Sequence, residues 1–200
     1  MTVNVLLIAC GALAREIVEL ARLNSWDHLK IQCLPAELHN RPEKIPAAVR
    51  AEIEARREDF EHIFVAYADC GTGGMLDKVL ADYDIDRLPG AHCYEFFAGS
   101  TNFDELAENN PGTFYLTDFL TRHFDRLVRT GLGLDKHPEL MPQYFGNYRR
   151  LVYLAQSDSP DLDVMAEQHA GYLGLEYERV YTGLDPMGHD IAEKVVRWQN

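Results

Sequence analysis

From Val3 to Ala9 the chain is almost continuously apolar and rich in branched side chains. A run of this length without polar alternation suits a strand buried on both faces, as at the centre of a parallel sheet. Parallel strands cannot be joined by tight turns and need crossovers, usually helical. This one segment therefore demands a strand–helix repeat downstream, and the sequence supplies it. Leu13, Ile17 and Leu20 recur at helical spacing, with Val18 and Ala21 widening the stripe. Leu29 to Leu34 reads as a second strand closed by Pro35, and Ile45, Ala48, Val49 and Ile53 mark the next helix. His62 to Ala68 is a third strand, Met75, Leu76, Val79 and Leu80 a helix, and Ile85 to Leu88 a short fourth strand.

The second half continues less regularly. Pro111-Gly112 turns the chain into Thr113-Phe114-Tyr115-Leu116, and Thr117 or Asp118 can cap a helix through Leu120, Phe124, Leu127 and Val128. Residues 144–150 read as helix and Leu151 to Ala155 as a strong strand. Ser159-Pro160 opens a helix, since proline costs nothing in a first turn. Leu175 to Tyr181 is a last strand, and Asp190 with Glu193 opens a terminal helix. The alternation predicts an α/β fold: an open, mainly parallel sheet with helices on both faces, Rossmann-like and three-layered. The strands from residues 3, 29, 62 and 151 are expected to share that sheet. The expected unit is a single α/β domain over 1–200, with two similar halves sharing a cleft as a variant, because two strands end in Cys-Gly.

With 19 basic and 32 acidic residues the net charge is -13, which argues against nucleic acid as a partner. No run of 18 apolar residues is present, so no membrane span is expected. The first residues lack the basic, apolar and small-residue regions of a secretory signal, which predicts a cytoplasmic protein. Four cysteines in such a compartment are free thiols, and their positions become informative.

Ligands of open parallel sheets bind beyond the carboxyl ends of the strands. Cys10 closes the first strand, Cys70 the third, and Cys93 follows the fourth, so all three fall on one edge. Three soft thiolates there suit zinc, with an iron–sulfur cluster as the alternative. His39 or water would complete the shell, with His92 a poorer donor beside Cys93. The competing reading is simple packing, since cysteine behaves as a small hydrophobe; Cys33, inside the second strand, reads that way. Asp69-Cys70-Gly71-Thr72-Gly73-Gly74 is a glycine-rich turn whose N–H groups can meet an anion. Gly11, Asp69, Gly71, Thr72, Gly73, Arg41 and Gln156 are the candidate cofactor- or ligand-binding residues. His39, Tyr94 and Glu95 are the acid–base candidates, able to carry a proton beside a metal or a small polar substrate.

These motifs carry a family likeness. Cys10-Gly11, Leu38-His39-Asn40-Arg41-Pro42, Asp69 to Gly74, His92-Cys93-Tyr94-Glu95-Phe96-Phe97-Ala98-Gly99 and Pro111 to Asp118 resemble the prokaryotic DUF1638 family, whose function is unknown. The resemblance spans roughly residues 3–185. It implies a setting beside corrinoid-dependent methyltransferase systems in methylamine and related one-carbon metabolism. A corrinoid or methyltransferase protein is then an expected partner, and a small polar or anionic molecule the expected substrate. The leading expectation is a thiolate-ligated metal protein serving methyl transfer as enzyme or accessory. The alternatives are a non-catalytic zinc, iron–sulfur or corrinoid-handling protein, or an interaction protein with core cysteines.

Overall fold

The computed structural model describes residues 4–108, 112–195 and 198; Val3 and Pro111, which the sequence reading used, lie outside them. The chain forms two compact units, residues 1–93 with 187–200, and residues 94–186.

In the first unit, β1 (Val5–Cys10) is buried along its whole length, as its apolar run requires. It pairs in parallel with β2 (Leu29–Leu34) on one side and β3 (His62–Ala66) on the other. Helix α1 (Ala14–Leu23) makes the first crossover and α2 (Ile45–Arg56) the second. Ile17 and Leu20 are buried as expected, whereas Val18 faces solvent and does not widen the stripe. Along α2, Ile45, Val49 and Ile53 bury one face at a spacing of four. The order β2-β1-β3 means that the second crossover returns past β1. A reversal of this kind leaves a crevice beyond the carboxyl ends of β1 and β3.

The expected fourth strand shrinks to one parallel bridge between Val65 and Arg87, framed by bonds from Val65 N–H to Asp86 O (3.1 Å) and from Leu88 N–H to Val65 O (3.1 Å). Before it comes α3 (Met75–Ala81).

The second unit holds α4 (Tyr94–Ala98), α5 (Ser100–Glu108) and β4 (Thr113–Thr117). Then follow α6 (Asp118–Arg122), α7 (Met141–Phe145), β5 (Arg150–Ala155), α8 (Pro160–Leu173) and β6 (Glu176–Tyr181). Its sheet is parallel in the order β4-β5-β6. The Leu151 strand therefore sits between β4 and β6 in a second sheet instead of joining β1. An apolar run specifies burial on both faces but not which neighbour it pairs with. Thr117 caps α6 as expected, its hydroxyl accepting Leu120 N–H, but that helix breaks near His123 and resumes as a π-helical turn over Asp125–Thr130. The helix expected over 144–150 ends at Phe145, and Arg150 already belongs to β5. The last helix, α9 (Asp185–Val195), begins five residues before the expected Asp190 cap. Its Met187, Ile191 and Val195 are fully buried, so the apolar face, not the capping signal, sets its extent. The architecture is α/β, two small parallel sheets flanked by helices, in keeping with a Rossmann-like three-layer fold. Among the described residues no helix is long and apolar enough to cross a membrane.

Gly11 is needed where β1 ends. A Cβ there would stand 2.9 Å from the Leu34 carbonyl oxygen, a backbone atom that cannot swing aside. Gly11→Ala is expected to destabilise the chain by about 1–3 kcal/mol through forced backbone shifts. Urea unfolding followed by circular dichroism measures this; an unchanged midpoint would show that the junction of β1 and β2 yields freely.

Candidate metal centre

The carboxyl edge of the first sheet gathers the chemistry. Cys10 is the last residue of β1 and caps a single 3-10 turn (Gly11–Leu13), its sulfur accepting Ala12 N–H at 3.4 Å. Past β2, Pro35 stops the strand and a 3-10 segment (Ala36–Asn40) carries His39. Past β3, Tyr67 and Ala68 stay buried before the Asp69–Gly74 turn brings in Cys70. Cys70 has φ 49 and Gly71 φ 82, so the chain turns sharply in left-handed geometry, at some cost for the non-glycine residue. Two backbone bonds explain why Cys93 arrives beside it: Asp69 N–H to Gly90 O (3.1 Å) and Cys70 N–H to Ala91 O (2.9 Å). Gly71 also abuts Pro42, since a Cβ at 71 would lie 3.5 Å from that ring. The 38–42 loop is thereby held against the Cys70 turn.

His39, Cys70 and Cys93 each place a ligand atom within 4.8 Å of the others. The Cys93 sulfur is 3.7 Å from His39 Nε2, and the Cys10 sulfur is 3.4 Å from Nδ1. All three cysteines are buried and none is in a disulfide. A soft sulfur–sulfur–nitrogen set of this kind can coordinate a metal ion.

The protons are distributed unevenly. The hydrogen bond from the Cys93 thiol, helped by His39, outweighs burial and draws Cys70 down from 9.0 to about 5. Cys93, bonded to that thiolate and buried, is pushed well above 9.0. Burial opposes charge on His39, but bonds to Cys10 and Cys70 prevail and raise it to about 10. The cluster is thus a thiolate, a thiol and an imidazolium at neutral pH.

Tyr67 is a member that sequence reading missed. Its hydroxyl is buried toward Cys10, outside ordinary hydrogen-bond geometry, and burial with the neighbouring thiols keeps it protonated. The available signal was a single phenol inside the otherwise apolar Ile63–Ala68 run, directly before Asp69-Cys70.

The other candidates are placed as follows. Asp69 accepts from Thr72 hydroxyl (2.8 Å), Gly73 N–H (3.0 Å) and Gly74 N–H (2.8 Å). The Gly73 and Gly74 N–H groups of the turn are therefore engaged by Asp69, and these bonds keep its carboxyl below the usual range. Arg41 is exposed and has no ion pair among the described residues. Cys33 is only partly buried, not a core thiol, although burial still raises its thiol. Tyr94, Glu95 and Gln156 belong to the second unit. There Tyr94 packs on Tyr115 at 5.4 Å, and Glu95 O accepts Gly99 N–H at 2.8 Å. Gln156 Oε1 accepts Asp118 N–H at 2.8 Å, which gives that buried amide a structural task.

No curated protein and no solved structure matches the chain. One family model does match, over residues 33–189, a segment that contains His39, Cys70 and Cys93 and begins after Cys10. It covers most of the sequence, and the chain belongs to that family, described as protein of unknown function (DUF1638).

Proposed function

We propose that the protein binds a thiophilic divalent ion, zinc first, through Cys70, Cys93 and His39, and acts with it on a small polar substrate in methyl transfer or related one-carbon chemistry. The single observation behind this is the convergence of two sulfurs and an imidazole within 4.8 Å at the crevice of the first sheet. One nitrogen among the donors favours zinc over an iron–sulfur cluster, which is usually held by thiolates alone. Three protein donors leave a tetrahedral ion one position for water or substrate. Bound there, the ion would supply Lewis acidity and keep a coordinated thiol or water deprotonated near neutral pH. Exposed Arg41, two residues from His39, is the proposed contact for an anionic substrate group. The test is elemental analysis of anaerobically purified protein with visible absorption, paired with Cys70→Ser. The reading expects about one zinc per chain, lost in the variant. Iron with visible bands would replace it with the cluster alternative, and metal-free protein that takes up no zinc would defeat it.

The proton distribution gives a second check. Ligands bind metal deprotonated. At pH 7 Cys70 is already a thiolate, so zinc uptake is expected to release about two protons per ion, one from Cys93 and one from His39. A pH indicator in weak buffer reads this, and release near zero would exclude these residues as the ligand set.

The metal-free chain should also show a stability optimum. Cys70 titrates near 5 instead of 9.0, so its contribution builds as pH rises above about 5 and is complete above 9.0. His39 titrates near 10 instead of 6.5, so its contribution is complete below 6.5 and is lost as pH rises through about 10. Thermal melts in chelator are expected to peak between these limits.

A further inference from the structure

A third sulfur touches the proposed centre without joining it. Cys10 Sγ lies 3.4 Å from His39 Nδ1, whereas Cys93 Sγ faces Nε2 of the same ring. The two ring nitrogens point in divergent directions, so a sulfur placed on Nδ1 is poorly aimed at an ion held by Nε2. The set whose ligand atoms all lie within 4.8 Å accordingly holds His39, Cys70 and Cys93 and leaves Cys10 out.

Cys10 is also fixed in place. It ends a fully buried strand, is 1% exposed, and its sulfur already accepts Ala12 N–H at 3.4 Å. The next residue, Gly11, lies so close to the Leu34 carbonyl oxygen that a Cβ would stand 2.9 Å from it, which leaves the backbone there little room to move. Its sulfur is thus a preformed acceptor set beside the nitrogen that a metal-bound histidine leaves free. Metal-bound histidines almost always donate that second N–H to a carboxylate, carbonyl or water, which fixes the tautomer and the ring's direction.

We infer that Cys10 is a positioning residue and not a ligand: its sulfur accepts the Nδ1–H bond of His39 and holds the ring with Nε2 turned toward the ion. This rests on the metal reading above. It assigns the four polar groups distinct parts, with Cys70, Cys93 and His39 binding and Cys10 orienting.

Cobalt(II) in place of zinc separates the possibilities, because its sulfur-to-metal charge-transfer absorption scales with the number of bound thiolates. The full chain is loaded with cobalt, and the affinity is read by competition with a chelator. Cys10→Ala is expected to keep the charge-transfer intensity per bound cobalt while weakening affinity about ten- to a hundredfold, the range typical of lost partners behind a ligand. Cys10→Ser, which keeps an acceptor at the same place, should recover part of that loss. Cys70→Ser should instead lose about half the intensity, as one of two thiolates. X-ray absorption of the wild-type zinc protein needs no variant and should count two sulfurs at about 2.3 Å. Three sulfurs, or a fall of about a third in cobalt charge transfer on Cys10→Ala, would make Cys10 a ligand and overturn the inference while leaving the metal site standing. Unchanged affinity in Cys10→Ala would overturn it too. Wild-type protein that binds neither cobalt nor zinc would remove the metal reading itself.

Discussion

Cys93→Ala is expected to weaken zinc binding by about a hundredfold or more, because it removes one of three protein donors and most of the binding free energy depends on a complete ligand set. The same change should have a second signature in the metal-free chain. The Cys93 thiol is the largest influence holding Cys70 low, so its loss is expected to move the Cys70 titration upward from about 5. Thiolate absorbance in the ultraviolet, followed against pH in chelator, reads that shift directly. Isothermal titration with zinc reads the affinity. The two results bear on different steps: the first depends only on the geometry of the two sulfurs, the second on the ion. Unaltered zinc affinity together with a shifted titration would mean that the sulfurs are paired as described but serve a purpose other than metal binding.

Asp118→Ala is expected to destabilise the chain by about 3–5 kcal/mol, the scale of a broken buried polar network. Asp118 is 2% exposed. Its carboxylate accepts the Tyr153 hydroxyl at 2.6 Å, Gln156 N–H at 3.0 Å and the Ser157 hydroxyl, with Arg122 at 3.6 Å. Alanine would leave the fully buried Tyr153 hydroxyl and the Gln156 amide without an acceptor, and each such orphan costs about 1–3 kcal/mol. The carboxylate raises the Tyr153 phenol above its ordinary range, after burial itself, so the hydroxyl stays a donor at any physiological pH. Asp118→Asn keeps the shape and one acceptor and should cost clearly less than alanine. Urea unfolding by circular dichroism ranks the two variants. Equal and small losses, under about 1 kcal/mol, would show that solvent or neighbouring groups replace the carboxylate.

The same neighbourhood shows what tertiary contacts add to a residue's position in the sequence. Gln156 follows a strong strand, so the sequence places it where sheet ligands bind. In the structure its amide carbonyl is engaged by Asp118 N–H. The Asp69–Gly74 turn is a parallel case. Its glycines supply left-handed geometry, and the carboxylate at its own first position takes the Gly73 and Gly74 N–H groups. Side-chain-to-backbone closure of this kind depends on torsion angles, which composition does not specify.

What the sequence by itself determined was local and periodic. The unbroken apolar run made β1 a central strand. The i, i+4 apolar spacing made α2 a one-faced helix, and the Ser159-Pro160 step opened α8. The ends of β1 and β3 put Cys10 and Cys70 on one edge, because parallel strands end together, whereas Cys93 is brought there by backbone bonds from Asp69 and Cys70 to Gly90 and Ala91. Pairing between distant segments was decided by tertiary structure. The strand at Leu151 chose β4 and β6, and the segment at Arg87 kept only one bridge. His39 became the centre of the cluster because the 38–42 loop packs against Gly71, a contact 29 residues away in sequence (71 minus 42). The physical reason is common to all of these. Burial and torsional preference act within a few residues and leave a trace in their order. The direction of a sulfur or an imidazole is fixed by contacts with remote backbone, and no residue's identity encodes which remote segment will supply them.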